Sequence, residues 1–104
     1  MSVFDLTISK DSMEDGVKLF ARGRVNTNNA SELQYEFEMA MNEGQKNIII
    51  NMSQVEYLSS TGIRVILKAY REAADAGIKL AIERPSEIVR NVMGIAALNE
   101  LIIN

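Results

Sequence analysis

Three hydroxyl side chains, Ser59, Ser60 and Thr61, stand in a row ahead of Gly62. They fall where an apolar, strand-like run and a short connection give way to a helix-period pattern. A hydroxyl at a helix start can do two things. It can cap the first turn, a role worth about 1 kcal/mol. It can also accept a group, because the unpaired N–H groups and the positive dipole end favour a phosphate placed there. The carboxyl edge of the strands in an open α/β sheet is also where ligands are handled. Gly62 is expected to keep the first turn open to a large partner group. Both readings, cap and functional hydroxyl, stand on this pattern.

Little else in the chain suits chemistry. Without His or Cys, disulfides, thiol nucleophiles and Ser-His-Asp triads are excluded, and so are most zinc and copper sites. Gly44-Gln45-Lys46 lacks the two spaced glycines of a phosphate-binding loop. Glu14 and Asp15 sit in an expected exposed loop and give no reason for acid–base work or a metal. The expectation is therefore no enzyme, no catalytic residue, no metal and no cofactor. A net charge of −3 without a basic, aromatic-rich patch argues against nucleic acid. No apolar run nears the roughly 18 residues that span a bilayer, and the N-terminus lacks a signal-peptide pattern. A cytoplasmic protein off the membrane is expected. With 104 residues, 47% of them hydrophobic, the composition supports one folded domain, 1–104.

The elements that must position the hydroxyls follow from periodicity. Phe4, Leu6 and Ile8 alternate with polar residues, and Val17, Leu19 and Ala21 do the same after a polar loop at 11–16, which predicts an N-terminal hairpin. Residues 23–29 read as a loop, with Asn29 as N-cap and Glu32 completing a capping box. Ala30, Leu33, Phe37, Ala40 and Met41 then share one helical face, and Gly44 is the stop. The run 47–52, with Ile48, Ile49 and Ile50, reads as a central strand buried on both faces, and 54–59 as a connection. A second helix over 60–76 turns Ile63, Ile66, Leu67, Tyr70 and Ala74 inward. Arg64, Lys68, Arg71, Glu72 and Asp75 lie outside, where Val65 and Ala69 offer a shallow apolar strip to a partner. Tyr57 is expected to pack in the core or the turn. Residues 79–83 form another inner strand. A third helix starts at Pro85 and Ser86, with Ile88, Val89, Val92 and Met93 inward. Leu101, Ile102 and Ile103 read as a short closing strand. The fold class is α/β: a mixed, mostly parallel sheet with helices packed mainly on one side.

The segment 48–70, IIINMSQVEYLSSTGIRVILKAY, resembles the signature of STAS domains, and within them the bacterial anti-sigma factor antagonists. Asn51-Met52-Ser53 corresponds to the family's strand end, and Ser59-Ser60-Thr61-Gly62 to its Asp-Ser-Ser/Thr-Gly helix opening. Gly23-Arg24-Val25-Asn26 corresponds to a Gly-x-hydrophobic-Asp element, and 85–102 to the last helix and closing strand. The resemblance implies a protein–protein switch in transcription regulation. The unphosphorylated form binds an anti-sigma factor that is also a serine kinase, and the sigma factor is released. Phosphorylation ends that binding, and a phosphoserine phosphatase restores it. Carried over by position, the acceptor is Ser60, with Ser59 and Thr61 as alternatives. The partner surface comprises Asn26, Asn28, Ser59, Thr61, Gly62, Arg64, Val65 and Lys68. A monomer is expected. The family's two acidic positions are Ser59 and Asn26 here, which removes negative charge around the acceptor. A second reading keeps the fold without a phospho-switch, as a STAS scaffold subunit of a stress-signalling complex or a lipid-transport accessory.

Overall fold

A computed structural model describes residues 5–103. Strand β1 (Leu6–Met13) and β2 (Gly16–Val25) form an antiparallel hairpin. Helix α1 (Ala30–Asn42) crosses to β3 (Asn47–Leu58), and α2 (Ser60–Asp75) crosses to β4 (Lys79–Glu83). Helix α3 (Glu87–Ile95) and a 3-10 turn (Asn99–Leu101) follow. The sheet order is β1-β2-β3-β4, with β2–β3 and β3–β4 parallel, as crossover connections require. The fold is thus the mixed, mostly parallel α/β sheet expected, with three α-helices among the described residues.

The hairpin is tighter than its polar sequence suggests. Residues 11–13 continue β1, and only Glu14 and Asp15 turn. Backbone pairing here ignores side-chain polarity, because β1 is an edge strand whose outer side chains meet water. Leu6 is buried and Ile8 half-buried as expected; Phe4 lies outside the described residues. The third residue of the pattern at the other end, Ile103, makes no strand of its own. Ile102 bridges Ile82 alone, and the Ile103 N–H donates to the Ile82 carbonyl at 2.9 Å.

One face of the sheet carries the core. Val17, Leu19, Ala21, Val25, Ile48, Ile50, Met52, Val55, Leu58, Leu80 and Ile82 meet Leu33, Phe37, Ile66, Ala73, Val89 and Met93 from the helices in one apolar cluster. On the opposite face, Ile49 and Phe20 are only half-buried, so β3 is covered fully on one side rather than both. A polar bridge spans three strands there. Lys18 Nζ lies 2.9 Å from Glu83 Oε2, which also accepts from Asn51 Nδ2 at 3.1 Å.

Strand β3 is the main departure from expectation. It runs to Leu58, through the stretch read as a connection. Its buried positions are 48, 50 and 52, then 55 and 58. The spacing lengthens from two to three at two register shifts against β2, where β3 spends one extra residue each time. The alternation that marks a strand is broken there, although the pairing is not. Beyond Asn51, β3 has outrun β4, and α3 takes over its free edge. The Ser86 N–H donates to the Met52 carbonyl at 3.0 Å and Ser86 Oγ to the Val55 carbonyl at 2.7 Å, while Ser86 Oγ accepts from Val89 N. One serine thus caps α3 and satisfies the bulged strand.

Helix α2 is turned by about one residue from the expected orientation. Gly62, Val65, Ile66, Ala69 and Ala73 are buried, whereas Ile63, Leu67 and Tyr70 are half-buried and Ala74 is exposed. Helix α2 packs against α1 and β4, and the side it buries carries small and branched residues, while the bulkier Leu67 and Tyr70 are only partly covered. Val65 and Ala69 therefore form no outer strip. Likewise Ile88 on α3 is 39% exposed rather than inward. The expected Asn29–Glu32 capping box is absent. Asn29 makes no side-chain cap bond, and Asn26 organises the turn instead.

Two predictions follow from this packing. A Cβ on Gly16 would run into the Asn47 carbonyl oxygen and Cβ, at the parallel junction of β2 and β3. Gly16→Ala should cost about 3 kcal/mol in urea unfolding, at the upper end of overpacking; an unchanged midpoint would show that the junction relaxes freely. Burial alone raises the Glu83 carboxyl pKa, but hydrogen bonds from Lys18 and Asn51 and the Lys18 and Arg84 charges outweigh it, holding the group below its ordinary range. The sign follows: a carboxyl lowered in the folded state stabilises above its unfolded pKa and loses that contribution as pH falls through the folded value. The stability gap between wild type and Glu83→Gln should be open at neutral pH and narrow below about pH 4; a pH-independent gap would contradict the bridge.

Candidate functional site

The ends of β2 and β3 meet at the carboxyl edge of the sheet. Val25 pairs with Leu58, and the Ser59 N–H donates to the Val25 carbonyl at 2.9 Å. Past Val25 the chain turns through residues 26–29 into α1; past Leu58 it turns at once into α2. The two helix starts are therefore set side by side.

The 26–29 turn is built by two asparagines. Asn26 Oδ1 accepts from the N–H groups of Asn28 (2.9 Å) and Asn29 (3.0 Å). In return, the Asn26 N–H donates to Asn29 Oδ1 at 2.8 Å. Asn29 Nδ2 donates to the Arg24 carbonyl at 2.9 Å, tying the turn to β2. The loop read as 23–29 is thus shorter, because 23–25 remain in β2. A short amide side chain serves this role because it offers both a donor and an acceptor.

The three consecutive hydroxyls have separate surroundings. Ser59 is 8% exposed and is the N-cap of α2; its Oγ accepts from the Gly62 N–H at 3.1 Å. Thr61 is half-buried, and its Oγ1 lies 3.3 Å from Thr27 Oγ1 across the two turns. Ser60, the first residue of α2, is exposed, and its hydroxyl has no hydrogen-bond partner among the described residues. The helix start thus consumes one hydroxyl, pairs the second and leaves one facing water.

Gly62 has a different role from the one expected. It is buried, and a Cβ there would lie 2.7 Å from Val25 Cγ1 and 2.8 Å from Leu58 Cδ1. The missing side chain lets α2 sit against the strand ends and opens nothing outward. Val65 is likewise 8% exposed and turned to the core. Of the expected partner surface, Asn28, Arg64 and Lys68 are exposed, Asn26 and Thr61 are half-buried, and Ser59, Gly62 and Val65 are covered.

Two features at this edge escaped the sequence reading. Arg24 stacks on Tyr57, its guanidinium carbon 4.7 Å from the ring centroid, across paired positions of β2 and β3. Tyr57 is 38% exposed, so it is neither core nor turn filler. The Thr27–Thr61 contact is the other. Both depend on the β2–β3 register, and the bulges in β3 hide that register from residue spacing. Among the described residues no cluster of three or more potential metal ligands occurs, and no helix is long and apolar enough to cross a membrane.

Comparison with known proteins matches this architecture. A Bordetella bronchiseptica protein, BtrV, described as a candidate anti-sigma factor antagonist, is 23% identical over 91 residues, covering 88% of this chain and 78% of its own. A Thermotoga neapolitana protein described in the same way, a TM1081 homolog, is 28% identical over 91 residues, covering 86% and 80%. The unphosphorylated anti-sigma factor antagonist SpoIIAA superposes with a TM-score of 0.81 at 18% identity, covering 93% of this chain and 86% of that one. The phosphorylated form of SpoIIAA, from Bacillus, superposes at 0.75. The STAS domain family model matches residues 8–104. A mixed sheet, paired helix starts at its carboxyl edge and a match over nearly the whole length agree, and the chain belongs to the STAS domain family.

Proposed function

We propose that this STAS domain is an anti-sigma factor antagonist, a protein–protein switch rather than an enzyme, whose partner binding is ended by phosphorylation of Ser60. The observation that carries the reading is the division of the three hydroxyls. Ser59 is buried and caps the helix, Thr61 contacts Thr27, and Ser60 alone is exposed and unengaged at the first turn of α2. The descriptions of the two sequence relatives and of SpoIIAA support the partner class, an anti-sigma factor. That SpoIIAA exists in both phosphorylation states supports a covalent switch.

The physical mechanism is electrostatic. A phosphoserine carries about −1.5 to −2 charges at neutral pH. At the first turn of α2 it meets unpaired N–H groups and the positive end of the helix, so the domain accommodates it. In a partner interface the same group adds bulk and must be desolvated. A penalty of about 3 kcal/mol lowers affinity more than about a hundredfold. The partner surface in this reading comprises the exposed and half-exposed residues Asn26, Asn28, Thr61, Arg64 and Lys68 around Ser60. Asn26 and Ser59 stand where the resemblance places acids, so the incoming phosphate meets less repulsion here. The partner supplies the serine kinase activity, a phosphatase reverses the step, and the exchange takes place in the cytoplasm.

Affinity capture from lysate of the source cells, with wild-type and Ser60→Asp baits plus ATP or ADP and phosphosite mapping of the bait, tests the reading. Wild type should retain a kinase-like ATPase and take phosphate on Ser60. Ser60→Asp should bind at least about tenfold more weakly, with its Tm held within about 3 °C. Ser60→Ala should take no phosphate. If Ser60→Asp unfolds the domain, the hydroxyl is structural and the switch fails. Absence of both partner and phosphate would favour a STAS scaffold subunit. A separate check concerns the cap: Ser59→Ala should lose about 1 kcal/mol of stability and still be phosphorylated at Ser60. Loss of labelling without loss of stability would move the acceptor to Ser59.

A further inference from the structure

Helix α2 carries a basic stripe directly below Ser60. Arg64, Leu67, Lys68 and Arg71 follow it at helical spacing, on the side opposite the buried residues Gly62, Ile66, Ala69 and Ala73. Half-buried Leu67 floors a shallow depression of about 330 Å³ walled by Arg64, Lys68 and Arg71, with Glu72 and Asp75 at its far end. Arg64 and Arg71 have no carboxylate within ion-pair distance among the described residues. Lys68 meets only Glu72, at 3.8 Å, with both side chains about half exposed. In a chain of net charge −3, three cations on one face with this little internal compensation form a distinct feature.

The adjoining helix has the opposite character. Along α1, exposed Glu32 and Tyr35 and half-buried Glu36 line a shallow depression with Ser31 and with Ile8 of β1, and Glu43 lies at the end of the helix. Tyr35 is 58% exposed, a large amphipathic ring flanked by two carboxylates. None of these glutamates is in an ion pair among the described residues. Because α1 and α2 both leave the carboxyl ends of parallel strands, they run in the same direction, and they pack against each other.

We infer that the outer helix layer is a self-association surface, in which the basic stripe of α2 receives the acidic, tyrosine-bearing face of α1 from a second copy of this chain. A twofold axis lying between the two layers and along the helices sets each α1 against the other copy's α2, with N-termini at the same end. Glu32 and Glu36 then approach Arg64 and Lys68, and Tyr35 covers the Leu67 depression. Each ion-pair patch occurs twice, so the contact is isologous and closes at a dimer. Two acidic chains repel overall, and only this pairing of unlike faces makes the encounter attractive. The dimer replaces the monomer expected from the sequence. Its regulatory consequence rests on the switch reading above. The dimer covers Arg64 and Lys68 and so competes with the partner, and a phosphate on Ser60 at the head of the stripe faces Glu32 of the second copy.

Sedimentation velocity of the purified, unphosphorylated full chain, with no ATP and no partner, tests the dimer independently of the switch. Dimer should form in about 50 mM salt and weaken at least about tenfold in about 500 mM salt, where screening shortens the reach of charge. Arg64→Glu with Arg71→Glu, and separately Glu32→Lys with Glu36→Lys, should each give monomers. Mixing the two variants should restore dimer, because each then offers the faces the other needs; this recovery also shows that both are folded. A chain that stays monomeric at several hundred micromolar in low salt would overturn the proposal, and so would a dimer indifferent to salt and to both variants, or variants that do not recover on mixing. Ser60→Asp should weaken the dimer by about threefold or more through repulsion at short range; an unchanged dimer would remove the regulatory link and leave the interface.

Discussion

The close approach of α2 to the ends of β2 and β3 is the contact on which the rest of the site depends. It is made possible by Gly62, whose absent side chain leaves room for Val25 and Leu58. Those two residues are paired in the parallel ladder, and the Ser59 N–H continues that ladder to the Val25 carbonyl. Strand register, helix start and neighbouring turn are thus locked to one another through a few van der Waals contacts and one backbone bond. A shift of α2 by the width of a methyl group would part Thr27 from Thr61 and change which hydroxyls face water. Dense packing makes such a position discrete, because the interior has no space in which to average it.

From that constraint follows a division of labour among groups of nearly identical chemistry. Ser59, Ser60 and Thr61 could each cap, pair or react. Helical geometry decides among them, since successive side chains at a helix start point in different directions. The residue just before the helix reaches back to the Gly62 N–H, and the next is thrown outward. Negative charge added at that outward position meets the favourable end of the helix. Charge of the same sign in a facing partner would meet it as repulsion. In the proposed switch, such an arrangement would let modification alter association while sparing the fold.

The sheet is shaped to serve this edge. Two bulges lengthen β3 and carry it past β4, bringing Leu58 alongside Val25. The overhanging edge would leave carbonyl groups unpaired, and Ser86 at the start of α3 supplies their donors. On the uncovered face, the Lys18–Glu83–Asn51 bridge joins three strands where side chains are only partly shielded from water. The contribution of each surface contact is modest, and the apolar cluster beneath the helices holds most of the stability.

Local pattern by itself determined the order of elements, the hairpin, the inward face of α1, and the hydroxyl row at the start of α2. These are legible because they depend on periodicity and on residues with strong backbone preferences, such as Gly44 and Gly77 after the helices. Only the tertiary structure decided the length of β3, the one-residue rotation of α2, the burial of Val65, the inward role of Gly62, and the stacking of Arg24 on Tyr57. Each of these is settled by a neighbour distant in sequence. A bulge changes the period without ending the pairing, so alternation stops where the strand does not. An amphipathic helix with apolar residues on two flanks takes its orientation from the elements it packs against, here α1 and β4 among them. The row of three hydroxyls was legible, and the resemblance pointed to Ser60 within it; which of the three faces water depends on the partners that the fold brings to Ser59 and Thr61.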